Sequence, residues 1–70
     1  MKLSTRNLLP GTVTSLTQGE AMAVVKVRLD GGDQTITSSI TKEAIADLGL
    51  AEGTQVLVLV KSTEVTLAVE

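Results

Sequence analysis

No cysteine, histidine, phenylalanine, tyrosine or tryptophan occurs in this seventy-residue chain, and each absence closes a class of explanation. Without cysteine there is no disulfide framework, and without cysteine or histidine there is no ordinary zinc site. Without aromatic rings there are no platforms on which the bases of a single-stranded nucleic acid could stack. Charge is also sparse: six Lys and Arg are scattered among eight Asp and Glu, for a net charge of −2. A polyanion partner calls for a basic face, so nucleic acid is not an expected ligand. No apolar run approaches the ~20 residues of a membrane-spanning helix. Met1-Lys2-Leu3 gives way at once to Ser4, Thr5, Arg6 and Asn7, which leaves no signal-peptide core. A cytoplasmic protein with no membrane partner is expected. Catalysis is not: nucleophile–base pairs built on histidine or cysteine are excluded, and no phosphate-cradling glycine loop runs into a lysine.

What is present is aliphatic. Hydrophobic residues make up 43% of the chain, so the core must come from Val, Leu, Ile, Ala and Met. A single domain of this length buries only about 60% of its unfolded surface. Small folds usually supply the shortfall with disulfides, a metal or oligomerisation. With the first two excluded, assembly of several copies is expected.

Along the chain, Pro10-Gly11 predicts a bend or bulge, and the β-branched run Thr12 to Thr17 a strand. Ala21 to Leu29 alternates, with Ala23, Val25, Val27 and Leu29 on one face and Met22, Val24, Lys26 and Arg28 on the other. Asp30-Gly31-Gly32-Asp33 is a hairpin signal, returning as a strand from Gln34 to Ile40. Thr41 predicts a helix N-cap, with Glu43 in the first turn suiting the helix dipole. Ala44, Ile45 and Leu48 form the apolar stripe, and Gly49 with Leu50 marks the helix end. Strands are expected over Thr54 to Lys61 and Val65 to Val69, joined by a turn at Ser62-Thr63-Glu64. The pattern predicts one mostly β domain over residues 1–70, an OB-like small barrel with one short α-helix before the last strands.

Three segments interrupt the aliphatic background with hydroxyls and cations. They are Ser4-Thr5-Arg6-Asn7, the stretch Thr35 to Thr41 with five hydroxyls, and Lys61-Ser62-Thr63 after the run Val56 to Val60. Ammonium, guanidinium and rotatable hydroxyls are donors, and donors without competing carboxylates are what a small tetrahedral anion requires.

The pattern Ser4-x-Arg6-Asn7-x-Leu9-x-Gly11-x-Val13, then Ile40-Thr41 before a helix ending Leu48-Gly49-Leu50, then Glu52-Gly53 and a strand closing on Lys61-Ser62-Thr63, resembles the molbindin (Mop) family of small molybdate-binding proteins. The resemblance spans almost the whole chain. It implies an OB-like fold, a hexamer of single-domain chains and oxyanion sites between subunits. Carried onto this sequence, the ligand contacts fall on Ser4, Arg6, Thr41, Lys61 and Ser62, with Thr5, Ser38, Ser39 and Thr63 as further hydroxyls of the same segments. Ala44 stands where some relatives carry serine, leaving either a single hydroxyl or backbone N–H groups to serve the helix side.

Molybdate or tungstate, both tetrahedral dianions, is then the expected ligand, with no catalytic cofactor and no bare metal cation. A dianion cannot be buried unpaired. Lys61 offers charge and three donors, the hydroxyls of Ser4, Thr41 and Ser62 rotate to donate, and helix N-termini favour anions. Arg6 can donate bidentately to the ion or to a neighbouring carbonyl that fixes its loop. Competing readings are a swapped-hairpin DNA-binding barrel and a purely structural oligomerisation module. The former needs arginines to neutralise phosphates, and this chain has only Arg6 and Arg28.

Overall fold

A long first strand organises the molecule. The computed structural model describes all seventy residues, which form β1 (Asn7–Gln18), β2 (Met22–Leu29), β3 (Thr35–Thr41), helix α1 (Lys42–Leu48) and β4 (Gln55–Val60), followed by a 3-10 turn over Ser62–Glu64. The strands make one antiparallel sheet in the order β3-β2-β1-β4. β1 divides its length between two neighbours. Asn7 to Thr12 pair with β4, and Gly11 to Gln18 pair with β2. The register slips between Val13 and Ser15, leaving Thr14 as an extra residue whose hydroxyl donates to the Lys26 carbonyl at 3.2 Å. Such a bulge sharpens the local twist, and here it helps curl the sheet into a half-barrel.

The irregularity is therefore at Thr14, whereas the sequence pointed to Pro10-Gly11. β1 runs straight through that pair. The Pro10 carbonyl accepts from the Asp30 N–H at 3.0 Å, so the side of Pro10 that lacks an N–H faces the end of β2. Antiparallel residues point N–H and C=O the same way, and no β1–β4 bond is lost. Gly11 is buried, and a Cβ there would lie 2.7 Å from both the Arg28 carbonyl oxygen and Val27 Cγ1. Gly11→Ala must push apart two backbones, and we expect a loss of about 1–3 kcal/mol, the usual cost of overpacking. Urea unfolding with an unchanged m-value would check it.

The alternation of β2 is as expected: Ala23, Val25 and Val27 are buried, and with Val13 and Ile45 they form the core. Leu16, Ile40, Leu50, Val56 and Val58 pack around it. The seven-residue helix is too short to persist alone and depends on its ends. The Thr41 hydroxyl caps the Ala44 N–H at 3.1 Å. Gly49 adopts φ 64°, and the Gly49 and Leu50 N–H groups bond back to Ala46 and Ile45. Both ends match the sequence reading, as does the burial of Ile45.

Two expectations are corrected. Leu48, read as part of the helix's apolar stripe, is 67% exposed. It lies on the rim of an apolar cavity of about 150 Å³, at the open side of the half-barrel. The last strand does not form. Val65 to Val69 lie outside any ladder, with Leu67 and Val69 93% and 97% exposed. The segment has a strand pattern but no neighbour within its own chain.

Candidate functional site

The donor segments gather at two separate corners. The last pair of the β1–β4 ladder is Asn7 opposite Val60. Ser4, Thr5 and Arg6 therefore lead into this corner, and Lys61, Ser62 and Thr63 leave from it. Thr5 is half-buried, while Ser4, Arg6, Lys61, Ser62 and Thr63 are exposed. None of these six side chains takes part in the hydrogen bonds that side chains make within the chain. Two cations and four hydroxyls thus stand at one corner with their donors uncommitted.

Thr41 stands elsewhere. It pairs with Met22 at the start of β2, and β2 meets β1 there through Ala23 opposite Gln18. Between Asn7 and Gln18 lie eleven steps of β1, at about 3.3 Å each. The first-turn amides of α1 are largely spent. Lys42 N–H goes to the Ala21 carbonyl and Ala44 N–H to the Thr41 hydroxyl. The hydroxyl accepts in that cap and keeps its own proton for donation. With Ala44 in the place of a serine, the side-chain donors at the start of this helix are the Thr41 hydroxyl and the exposed Lys42 ammonium.

Ser38 and Ser39 separate by strand alternation. Ser38 pairs with Val25, shares the inner face with Ile36 and Ile40, and is the one polar side chain lining the apolar cavity. Ser39 is exposed on the outer face with Thr35 and Thr37. Lys26 reaches Thr37 at 3.5 Å on that outer side. The two serines cannot serve one ion from the same chain.

One side chain of the first donor segment was given no role of its own by the sequence reading. Asn7 Nδ2 donates to the Val60 carbonyl at 2.9 Å across 53 residues of chain. An asparagine opening a strand is a weak signal, because amide side chains also cap turns and helices.

Chemically, the first corner holds two cations and four hydroxyls able to donate to an anion, and the second holds the Thr41 hydroxyl. No group of three His, Cys, Asp or Glu side chains converges to hold a metal cation. No helix is long and apolar enough to cross a membrane.

Residues 3–67 match the TOBE domain family. The chain is 40% identical over 67 residues to molybdenum-pterin-binding protein 3 of Clostridium pasteurianum, covering 96% of this chain and 97% of that one. Among solved structures, a molybdate-binding protein from Sporomusa ovata superposes with a TM-score of 0.90 at 35% identity, covering 97% of this chain and 98% of that one. The cytoplasmic molybdate-binding protein ModG, solved with molybdate bound, gives a TM-score of 0.93 at 43% identity. The match covers all of this chain and 49% of the ModG chain.

Proposed function

The chain is a TOBE domain of the molbindin (Mop) family, and on that premise we propose that it binds molybdate and tungstate, for storage or homeostasis of the oxyanion and not for catalysis. Cytoplasmic residence belongs to the same proposal. The observation that carries the reading is the separation of its donors. Ser4, Arg6, Lys61 and Ser62 belong to the Asn7 end of β1, and Thr41 belongs to the Gln18 end. A single chain cannot close all five around one ion, so the sites lie between subunits, where the first corner of one copy meets the second corner of another.

The surface supports an assembly. Val65, Leu67 and Val69 are exposed on a segment without a sheet partner, and Leu8, Leu57 and Leu59 are 45%, 48% and 44% exposed on β1 and β4. One self-complementary surface closes a dimer. Two distinct apolar surfaces per chain allow dimers to join further, and a hexamer is the proposed closed form.

Calorimetric titration with molybdate, followed by displacement with other anions at fixed ionic strength, tests the reading. Tungstate should compete on nearly equal terms, being a tetrahedral dianion of nearly the same size. Sulfate has shorter bonds to oxygen, so donors spaced for molybdate cannot reach all four of its oxygens. Each donor left unpaired in a desolvated site costs about 1–3 kcal/mol. Two such losses favour molybdate by roughly two orders of magnitude or more. Phosphate should lose as well, because near neutral pH it carries a proton that Lys61 and Arg6 cannot accept, and a hydroxyl that accepts it uses its oxygen there in place of a donation to the ion. Absence of molybdate binding would sink the proposal, and equal displacement by sulfate would reduce the site to a general anion patch.

A further inference from the structure

We propose that Asn7 is a positioning residue for the anion site, setting the direction in which Lys61 and Ser62 leave the sheet without touching the ion. The inference rests on the oxyanion-site reading above and deepens it. Its basis is the hydrogen bond from Asn7 Nδ2 to the Val60 carbonyl, 2.9 Å long and partly buried. This is the one side-chain hydrogen bond that ties the N-terminal donor segment to the C-terminal one.

Its position gives it leverage. A peptide unit is planar, so the carbonyl of Val60 and the N–H of Lys61 turn as one rigid plate. Anchoring that carbonyl fixes the plate, and with it the Cα of Lys61. Beyond this point the chain has little else to hold it. Lys61 leaves the sheet at φ −65°, ψ 139° and opens the 3-10 turn without a side-chain cap. The Asn7 backbone is itself held in the ladder, and Arg6 is its immediate neighbour. The amide thus reinforces the Asn7–Val60 ladder pair in setting the relative placement of the backbone at Arg6 and Lys61, while neither cation has a side-chain partner of its own.

Positioning matters most for discrimination. Donors that can drift will follow the shorter bonds of sulfate, whereas held donors cannot. Removing the anchor should therefore weaken molybdate binding more than sulfate binding.

The experiment compares Asn7→Leu, which keeps the bulk and removes the donor, with Asn7→Gln, which keeps an amide one methylene further out. Dissociation constants for molybdate and sulfate, assembled mass and Tm are measured beside the unsubstituted protein. For Asn7→Leu we expect molybdate affinity to fall about tenfold, the low end of what losing an orienting partner costs a ligand site. Sulfate affinity should fall less, the assembled mass should be unchanged, and Asn7→Gln should lose less than Asn7→Leu. Wild-type affinity and selectivity in Asn7→Leu would overturn the inference. So would equal losses for both anions in both variants, accompanied by a fall in mass or Tm, which would make Asn7 a residue of the fold alone. Failure of the unsubstituted protein to bind molybdate is a separate outcome and would remove the parent reading.

Discussion

Leu67→Asp will break the assembly into smaller species, down to the 7.3 kDa chain, and will abolish tight molybdate binding with it. The side chain of Leu67 is 93% exposed within its own chain, so a carboxylate there costs the folded chain almost nothing. Any loss must come from contacts between chains. Val65, Leu67 and Val69 alternate as a strand does, and both β3 and β4 leave an outer edge of the sheet open. An open edge has unpaired N–H and C=O groups ready to receive another strand. Burying an aliphatic side chain of this size stabilises by about 1.5–3 kcal/mol. Three at each contact contribute roughly 5–9 kcal/mol, and an aspartate in the middle both forfeits its share and must be desolvated. The association constant should then fall by at least about a thousandfold. Sedimentation or light scattering at micromolar concentration reads the mass. Full mass in Leu67→Asp would mean that the C-terminal segment takes no part in assembly.

What the sequence revealed of this fold depended on whether the cause was local. The cap at Thr41 and the glycine at Gly49 are set by groups three to five residues apart, and both were legible. So was the Ala23, Val25, Val27 face, because period-two alternation needs no knowledge of the partner strand. The bulge at Thr14 is different. It exists because β2 offers Lys26 and Val27 to three residues of β1, a pairing that no window of β1 contains. Pro10 was misread for the same reason, since its missing N–H is harmless only where β2 has ended. Val65 to Val69 carry a strand's composition, yet strand formation requires a neighbour, and the chain supplies none.

The candidate site was legible as residue types and not as geometry. Cations beside hydroxyls suggest an anion in any fold, although Glu64 follows Thr63 in the same turn and Glu43 lies in the first turn after Thr41. That Ser4 to Arg6 meet Lys61 and Ser62 follows from Asn7 opposite Val60, and that Thr41 lies apart follows from Met22 opposite Thr41. Ser38 and Ser39 show the limit most simply. Adjacent in sequence, they face opposite sides of the sheet, one toward the apolar cavity and one outward. Asn7 is a harder case, because only the register reveals that its amide reaches the carbonyl preceding Lys61.

Lys61→Ala should cost about ten- to a hundredfold or more in molybdate affinity while the assembly persists. The ammonium is exposed and without a side-chain partner in the single chain, so removing it breaks no contact of the fold. At the proposed site it is a charge-assisted donor to a dianion, and such bonds contribute about 1.5–3 kcal/mol each, which sets the expected ratio. Net charge changes by one unit in this variant, and long-range attraction would weaken for that reason alone. Lys26→Ala separates the two effects. It removes the same charge from the outer face of β2, where Lys26 reaches only Thr37. At an ionic strength of about 0.15 M the screening length is near 8 Å, so a distant lysine should alter affinity little. We therefore expect Lys61→Ala to bind far more weakly than Lys26→Ala, with both variants matching the wild-type mass. Equal affinities for the two variants would mean that Lys61 acts only through net charge, and the ammonium would have to be removed from the site.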